Sequence, residues 1–430
     1  MKVAFYNIGC KVNYAELSQI QSQFERLGAE VVEFGNPCDA VIINTCTVTN
    51  MADADCRKII RRALRANPNA FVAVTGCYAQ MRPEEVAKIE GVDAIFGTKY
   101  KFDIPILIEK FEKFDKPKIF VSQLNGDVPY HFAVSTDNES RTRVVLKIQD
   151  GCDYSCTYCI IPKARGKSRC LPFEALKHKI IELNDSEYEE VVLSGINLGE
   201  YKDETGKTFT DVVELIDSLQ PRQRYRISSI EPNKVTDKII DIVSKSNVFC
   251  PHFHIPMQSG SDTVLRMMRR RYNTSKYRTV VEKIKDKMPN ACIGADVITG
   301  FPGETDELFE ETYNFIEGLP LSYLHVFTYS DRNGTIANEI QDKVPHEVKK
   351  DRTRILRKLS DLKRRKFYES QIGNIFQVIP EEYNAETGRW KGWTENYIRC
   401  EFISDANLTK KRVNVRLETI FGENCLGTIV

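Results

Sequence analysis

Short apolar, β-branched runs alternate with amphipathic helical stretches along the first 135 residues of the chain. The strand-like runs lie at residues 3–8, 40–44 and 70–75, and the helical stretches that follow them lie at residues 14–27, 56–66 and 83–89. Alternation of strand and helix is typical of a parallel sheet covered by helices. The pattern therefore predicts an α/β domain over residues 1–135.

A second and longer alternation follows a polar stretch at residues 127–141, which is typical of a linker. Six strand-like runs, each followed by a helical pattern, lie at residues 144–148, 190–193, 225–230, 249–255, 293–298 and 324–328. Six such units favour an open, partial (βα)6 barrel, which we expect over residues 136–370. Chemistry in such barrels lies at the carboxyl ends of the strands.

The last part of the chain changes character again. Residues 373–430 are short runs of alternating hydrophobicity separated by turn residues such as Asn384, Gly388 and Gly422. This pattern predicts a small antiparallel β-barrel over residues 371–430. The fold class expected for the whole chain is α/β, in three parts.

Composition narrows the class of protein. The chain has 430 residues, 42% hydrophobic content and a formal charge of +1, so polyanion binding would have to come from local patches. One such patch is the helical stretch at 343–371, with eleven Lys or Arg against four Asp or Glu. A leader-like start and a long apolar span are not seen, so we expect a cytoplasmic location and no membrane partner. Thirteen cysteines then favour metal ligands and buried thiols over disulfides.

Three closely spaced cysteines follow the first strand of the second domain. Cys152, Cys156 and Cys159 are enough thiolates to fill three corners of a 4Fe-4S cube, leaving the fourth iron open to a small molecule. A zinc site is the alternative, since Cys170 or His178 could supply the fourth ligand that zinc requires. The absence of a second paired C-x2-C motif nearby favours iron–sulfur chemistry.

Three further cysteines follow three different strands of the first domain. Because parallel strands bring their carboxyl ends to one edge, Cys10, Cys46 and Cys77 are expected to converge there. Gly9 and Gly76 beside them would allow the turns and close approach that a bulky ligand needs. Buried cysteines acting as small apolar residues are the alternative. The pattern favours a second iron–sulfur cluster.

The C-x3-C-x2-C spacing resembles the signature of the radical S-adenosylmethionine enzymes, and the chain as a whole resembles the methylthiotransferases within that group. The family's closing module, a small β-barrel, is called the TRAM domain. The segments that carry the resemblance are Gly9–Asn13, Cys152–Pro162, Leu193–Gly199, His254–Ser261 and Asp296–Glu304.

The resemblance implies two 4Fe-4S clusters and S-adenosylmethionine as cofactors. The Cys152, Cys156 and Cys159 cluster would bind and reductively cleave S-adenosylmethionine, while Cys10, Cys46 and Cys77 would hold an auxiliary cluster that handles sulfur. One cofactor molecule would donate a methyl group and another would give the radical, with an electron donor such as flavodoxin or ferredoxin. No catalytic side chain beyond the cluster ligands is expected.

The resemblance also suggests which residues contact S-adenosylmethionine. The expected contacts follow successive strands of the partial barrel and are Gly195, Asn197, Glu231, Gln258, Ser259 and Gly300. The usual Gly-Gly-Glu of the wider superfamily reads Ser194-Gly195-Ile196 here, which leaves the local role of this segment open.

Three substrates are known in the family: isopentenyladenosine in tRNA, threonylcarbamoyladenosine in tRNA and an aspartate of a ribosomal protein. The segments Gly9–Asn13 and Gly392–Ile398 are most similar to the threonylcarbamoyladenosine type. The expected product is the 2-methylthio derivative beside the anticodon. Its threonine carboxylate calls for a cation that the sequence does not identify. A non-catalytic tRNA-binding iron–sulfur protein or an electron carrier is the other reading, but an open iron argues against both.

Basic and aromatic residues suggest how the anticodon stem-loop of tRNA is bound. Cations give phosphate affinity and aromatic rings stack on unpaired bases. Beyond the cationic helical stretch, the basic run Arg269–Arg271 and Trp390 fit this role, although the two Trp residues of the last domain equally suit its core. In the last domain the expected RNA-binding residues are Lys410, Lys411, Arg412, Trp393 and Tyr397.

Overall fold

The fold is seen in a computed structural model that describes residues 1–47, 50–108, 111–124, 128–135 and 142–430. Part of the predicted linker, at 127 and 136–141, lies outside the described residues. Among the described residues, none of the helices combines the length and apolar character needed to cross a lipid bilayer.

A six-stranded parallel sheet forms the first part of the chain. Its strands are β1 Lys2–Asn7, β2 Glu30–Val32, β3 Ala40–Thr45, β4 Phe71–Gly76, β5 Ala94–Phe96 and β6 Lys118–Phe120. They pair in the order β2-β1-β3-β4-β5-β6. The helices are α1 Lys11–Arg26, α2 Asn50–Ala66, α3 Cys77–Met81, α4 Pro83–Ala87 and α5 Ile104–Leu107.

Burial explains which strands the sequence pattern found. Every residue of β3 and β4 is buried, as expected for central parallel strands covered on both faces. The three predicted strands are β1, β3 and β4, which are neighbours in the sheet. The missed strands β2, β5 and β6 have only three residues each, too few to show a period.

Six parallel strands build the second part, as the six predicted runs indicated. These six are β8 Arg143–Lys147, β11 Glu190–Ser194, β12 Arg224–Ile227, β13 His252–His254, β14 Cys292–Thr299 and β15 Tyr323–Thr328. Three short strands accompany them, namely β7 Ala133–Val134, β9 Gln149–Asp150 and β10 Arg169–Cys170. The sheets β12-β11-β8-β7 and β13-β14-β15 are joined by a parallel bridge between Tyr225 and Phe249. The arrangement is an open, partial barrel.

The helices of this part are α6 Ile161–Arg165, α7 Phe173–Asn184, α8 Phe209–Leu219, α9 Asp237–Lys245, α10 Asp262–Met267, α11 Thr274–Lys287, α12 Asp306–Glu317 and α13 Ile336–Glu339. Helices α7, α8, α9, α11 and α12 contribute residues to the core formed with the strands of this part. One difference from the sequence expectation is β7, which lies in the predicted linker and pairs antiparallel to β8. Ala133 of β7 packs in the core of the first sheet, so this segment connects the two parts by burial.

The long helix α14, His346–Glu369, leads into a closed five-stranded barrel. Its strands are β16 Ile375–Asn384, β17 Arg389–Thr394, β18 Arg399–Ile403, β19 Val413–Phe421 and β20 Asn424–Ile429. The barrel closes in the order β16-β17-β18-β20-β19. The pair β18–β20 is parallel and the other four pairs are antiparallel, so the predicted antiparallel barrel is right except at this pair.

Candidate active site

The Cys152 trio lies in the loop after β8 and β9, at the carboxyl end of the first barrel strand. Gly151 turns the chain into this loop with φ +70°, and a Cβ there would collide with the carbonyl of Lys167. The Cys159 amide then donates to the Cys156 carbonyl at 3.1 Å, which folds the last two cysteines into one tight turn. The loop therefore presents all three thiols from a short, constrained segment.

Arg270 supplies positive charge to this loop. Its Nη1 lies 3.2 Å from Cys156 Sγ and 3.4 Å from the Tyr158 hydroxyl, and its Nη2 donates to the Glu231 carboxylate. The Arg270 side chain is only 3% exposed. Burial raises the pKa of the Cys159 thiol to about 12, so cluster binding must displace a proton from it. A buried cation beside a sulfur fits a site for negatively charged thiolates.

Asn197 and Gly195 lie beside the same cysteines. Asn197 is buried, and its side-chain Nδ2 is 3.9 Å from Cys152 Sγ. Its backbone N–H donates to Gln149 Oε1 at 2.8 Å. Its Oδ1 has no hydrogen-bond partner within the described part of the chain. A Cβ on Gly195 would come within 2.9 Å of Gln149 Oε1, so the backbone here passes very close to its neighbours.

A cavity of about 220 Å³ opens directly beside the trio. Its exposed lining is mainly apolar and aromatic, and its polar residues are Cys159, Gln258, Asp296, Thr328, Ser330 and Arg332. Gln258 has φ +66° and donates its amide to the Asp296 carbonyl at 2.8 Å, which holds it at the cavity wall. A mostly apolar cavity with a few polar groups suits a nucleoside such as the adenosyl part of the cofactor.

Two of the expected cofactor contacts face elsewhere. The Ser259 hydroxyl is buried and lies 3.0 Å from that of Thr312 on α12. Gly300 has φ +72°, and a Cβ there would collide with Lys349 of α14. Of the six expected contacts, all within the described residues, Gln258 alone lines the cavity beside Cys159. Their contact with S-adenosylmethionine stays a prediction.

The second trio gathers at one edge of the first sheet. Cys10 precedes α1, Cys46 follows β3 and Cys77 opens α3. The register pairs Asn7 with Asn44 and Thr45 with Gly76, so the three neighbouring strands end at the same level. The three cysteines therefore leave adjacent strands side by side, as the sequence predicted for a shared edge.

Buried charges surround this edge. Glu16 and Asp150 form ion pairs of 2.7–3.2 Å with a set of cations, namely Lys101, Lys147, Arg165 and Arg169. Four cations less two carboxylates leave an excess of two positive charges. The Nε atoms of Arg165 and Arg169 are buried and have no partner among the described residues.

This charge excess bears on which group the edge could hold. An unbalanced buried charge is costly, so a group of negatively charged thiolates beside Arg165 would offset it. The loop that carries Cys152, Cys156 and Cys159 likewise has a buried cation beside a thiol, since Arg270 lies next to Cys156. Both donor sets therefore fit iron–sulfur clusters held by three thiolates.

Binding of a single metal ion would require several ligands to converge on one point. Across the described ranges, no three His, Cys, Asp or Glu side chains lie close enough to hold one metal ion. In a cube, by contrast, each thiolate binds a separate iron atom at a different corner.

A larger cavity of about 550 Å³ lies where the three parts of the chain meet. Its walls come from α1, the partial barrel and the C-terminal barrel, and include Cys10, Lys11, Arg143, Arg226 and Tyr397. Cys10 of the second trio therefore opens onto a space that is large enough for a nucleotide base and its substituent.

Lys11 stands out among the cations of this cavity. Arg226 is held by Glu190 at 2.8 Å and Arg143 by Glu381 at 2.6 Å, but Lys11 forms no ion pair or hydrogen bond within the described ranges. Desolvation by the cavity walls and the charges of Arg226 and Arg143 lower its pKa to about 8, although the side chain is exposed to the cavity itself. Its amine is thus still mostly protonated at neutral pH.

The expected RNA-binding residues differ in their environments. Trp393 and Tyr397 stack with ring centroids 4.6 Å apart, and Tyr397 reaches the large cavity. Lys410 pairs with Glu187 and Arg412 with Glu189, both at 2.6 Å. Lys411 is exposed.

Trp390 takes the core position that the sequence left open as its alternative, and Arg270 does not lie on the surface as expected. Trp390 is 7% exposed and packs in the core of the C-terminal barrel, so it cannot stack on a base. Arg270 is not a surface cation, because it points inward to Cys156 and Glu231. The run Arg269–Arg271 was interpreted as a basic surface patch because the sequence gives the charge of each side chain but not the direction in which it points.

Sequence reasoning also missed the pairing of Glu16 with Arg165 and the position of Lys11. Lys11 lies within the segment Gly9–Asn13 that carries part of the family resemblance, and this was the available signal. Glu16 lies one helical turn beyond Asn13, but its partner is 149 residues away, which no local pattern can reveal.

Two known family models together match most of the chain. Residues 146–316 match the family model of the radical SAM superfamily, and residues 2–97 match that of the uncharacterised protein family UPF0004. Among solved structures, the radical S-adenosylmethionine methyltransferase TsrM from Kitasatospora setae aligns with a TM-score of 0.58 and 13% identity. The alignment covers 78% of this chain and 77% of that one, and it shows the fold alone.

Curated relatives extend over nearly the full length. A protein of Bacillus subtilis named threonylcarbamoyladenosine tRNA methylthiotransferase MtaB is 39% identical over 96% of this chain and 93% of the relative. A protein of the same name from Aquifex aeolicus is 37% identical, covering 93% of this chain and 96% of the relative. A Clostridium botulinum protein named tRNA-2-methylthio-N(6)-dimethylallyladenosine synthase is 30% identical, covering 95% and 92%.

Proposed function

This chain belongs to the radical S-adenosylmethionine methylthiotransferases that act on tRNA, and on that premise we propose that it converts N6-threonylcarbamoyladenosine beside the anticodon to the 2-methylthio derivative. It is an enzyme that transfers a sulfur-containing group. Members of this family use S-adenosylmethionine and two 4Fe-4S clusters. The substrate is part of the proposal, because relatives of similar coverage carry two different substrate names.

The observation that carries the proposal is the shared cavity at the second trio. Cys10 opens onto a space walled by all three parts of the chain, where a tRNA base could reach the cluster edge while the C-terminal barrel holds the RNA. When bound, the two clusters supply the electron that cleaves S-adenosylmethionine and the sulfur that is transferred. The side chains position the cofactor and substrate and exclude water.

Residue roles follow from position. Cys152, Cys156 and Cys159 would hold the cluster that binds S-adenosylmethionine, and Asn197 with Gln258 would orient the cofactor beside it. Glu231 is oriented by Arg270, and burial raises its pKa, with Arg270 opposing that rise. It remains placed to receive the amino group of the cofactor.

The second trio, Cys10, Cys46 and Cys77, would hold the auxiliary cluster. Arg165 donates through Nη2 to Asn13 Oδ1 at 2.5 Å, and Asn13 Oδ1 also accepts from Cys10 Sγ at 3.3 Å, so this buried cation lies next to the trio. One molecule of S-adenosylmethionine would serve as methyl donor and a second as radical source. A flavodoxin or ferredoxin would supply electrons, and the cytoplasm would be the place of action.

The first experiment is reconstitution without oxygen. The protein should then bind about eight irons and, when reduced, release 5′-deoxyadenosine from S-adenosylmethionine. Nucleosides from tRNA of a deletion strain should lack 2-methylthio-N6-threonylcarbamoyladenosine and regain it on complementation. Loss of the methylthio group from dimethylallyladenosine instead would identify the rival substrate.

RNA binding can be tested separately. Trp393→Ala should weaken binding of the anticodon stem-loop by about 1–3 kcal/mol, because it removes a stacking surface. Lys411→Gln should weaken it less and reduce its salt dependence. Lys88→Gln, at an exposed position of the first part, is the matched control and should leave affinity unchanged. Equal affinity in all three variants would contradict a role for this barrel face.

A further inference from the structure

The large cavity beside Cys10 has an unusual charge arrangement. Three cations line it, and two of them already have carboxylate partners: Arg226 with Glu190, and Arg143 with Glu381. In the described part of the chain, Lys11 alone of these three has no such partner.

The carboxylates of the cavity do not change this balance. Glu381 accepts two hydrogen bonds from Arg143, at 2.6 and 2.7 Å, and Glu382 lies 3.7 Å from Arg399. Each has a cation of its own on or beside the C-terminal barrel. The remaining unbalanced charge is therefore positive and belongs to Lys11.

Lys11 is also at the right end of a helix to receive an anion. It is the first residue of α1, a helix of 16 residues, and the side chain of the N-cap residue Cys10 makes no capping hydrogen bond to that first turn. The positive end of the helix dipole adds to the charge of the amine. An anionic group entering the cavity would meet both.

The proposed substrate carries such a group at a suitable distance from its reacting carbon. In threonylcarbamoyladenosine the carboxylate stands roughly 5–8 Å from C2 of adenine, since covalent bonds span about 1.3–1.5 Å. Cys10 and Lys11 are consecutive, with Cα atoms about 3.8 Å apart, and a lysine amine reaches about 6 Å from its Cα. A base with C2 turned to the Cys10 edge can thus bring its carboxylate to the amine.

We infer that Lys11 binds the threonine carboxylate of the substrate and selects threonylcarbamoyladenosine over an adenosine with an apolar N6 substituent. The inference rests on the proposed function and deepens it. An isopentenyl group offers no partner to the Lys11 ammonium and would displace water from it on binding, which is costly. Specificity thus arises from a charge that only one substrate satisfies.

The test compares two synthetic anticodon stem-loops with the reconstituted holoenzyme. One carries threonylcarbamoyladenosine, and the other carries the same nucleoside with its carboxylate blocked as a methyl ester. Wild-type protein should bind the acid about 10- to 100-fold more tightly than the ester, because a hydrogen bond to a charged group contributes about 1.5–3 kcal/mol. Binding is measured by fluorescence anisotropy without reductant, so that no turnover occurs.

Variants at Lys11 separate recognition from structure. Lys11→Gln should remove the preference for the acid and raise KM for it by about 10- to 100-fold with little change in kcat, whereas Lys11→Arg should retain much of the preference. Lys88→Gln should behave as wild type. Iron content and 5′-deoxyadenosine formation show whether Lys11→Gln keeps both clusters.

The possible outcomes distinguish the inference from its premise. Equal affinity of the wild-type protein for acid and ester, or an undiminished preference in Lys11→Gln, would overturn the inference while methylthiolation of the acid RNA upholds the proposed function. A wild-type enzyme that leaves the acid RNA unmodified but modifies isopentenyladenosine would overturn both.

Discussion

Arg165 of α6 and Glu16 of α1 form a completely buried ion pair, with Nη1 and Oε1 3.0 Å apart. The two residues are 149 positions apart in the sequence. Glu16 lies in the helix that follows Cys10, and Arg165 lies in the helix that follows Cys159. The pair therefore fixes the two cysteine-bearing segments relative to each other, and so fixes the distance between the two proposed clusters.

Removing one partner of this pair should be strongly destabilising. In Glu16→Gln, the buried cations Lys101, Lys147 and Arg165 lose the carboxylate that they share, without access to water, and the expected loss is about 3–5 kcal/mol of unfolding free energy. Thermal and denaturant unfolding of the metal-free protein measure it. Arg354→Met, which breaks a pair that is 61% and 65% exposed, is the control and should cost less than about 1 kcal/mol. Similar losses in both variants would contradict the importance of the buried pair.

Cysteine substitution should separate the two clusters. Cys77→Ala is expected to reduce bound iron from about eight to about four atoms per chain, since one 4Fe-4S cluster is lost. The variant should still form 5′-deoxyadenosine but no methylthio product. Iron analysis, chromatography of the cofactor products and nucleoside mass analysis are the measurements. Cys38→Ala, at a half-buried cysteine outside both trios, should retain all three properties.

Arg270 should tune the cluster at Cys156. A cation and hydrogen bond at a ligating sulfur stabilise the more negative, reduced state, so Arg270→Gln should lower the reduction potential, on the order of 50 mV. A redox titration followed by electron paramagnetic resonance, carried out in a Cys77→Ala background with one cluster, gives the value. Arg271→Gln is the neighbouring control. A potential unchanged in Arg270→Gln would refute this role.

Glu190 couples the docking of the C-terminal barrel to pH. This carboxylate is completely buried on β11 and holds the side chains of Arg224 and Arg226 at 2.6 and 2.8 Å. Those two arginines donate to carbonyls of the barrel at 2.8–3.3 Å, namely those of Gln377, Trp393, Thr394 and Glu395. The groups that face the carboxylate are Arg143, Arg224, Arg226 and Cys250.

The sign of the pH effect follows from this environment. Burial alone would raise the pKa of Glu190, but the charges of Arg226, Arg224 and Arg143 hold it well below its usual range. The unfolded chain has a pKa near 4.3 for glutamate, so the stabilisation is fully present above about pH 4.3 and is lost as the pH falls further.

Glu190→Gln measures this contribution directly. At neutral pH the variant should unfold with about 3–5 kcal/mol less free energy than the wild type, and the difference should shrink as the pH falls below about 4.3. Unfolding of the metal-free proteins across that range gives the comparison. Glu214→Gln, in an exposed pair with Lys238, should differ from wild type by less than about 1 kcal/mol at every pH. A constant gap for Glu190→Gln would show that its charge is not the source of the stability.

Local pattern was sufficient for much of this protein. The period of apolar residues located β1, β3 and β4, the six parallel strands of the partial barrel and the C-terminal barrel, because these segments are buried on a regular face. The positions of Cys10, Cys46 and Cys77 directly after strands were enough to place them at one edge of the sheet, since neighbouring parallel strands end together. The sequence by itself thus determined the architecture and the cysteines available for chemistry.

Only the tertiary structure decided how charge is arranged around those cysteines. Arg270 turned inward to Cys156, Arg165 met Glu16, and Lys11 was left as the cation without a partner in the large cavity. Burial and side-chain direction set these relationships, and both depend on residues far apart in the chain. Hydrophobic periodicity is read from neighbours in sequence, whereas an electrostatic environment is the sum over neighbours in space.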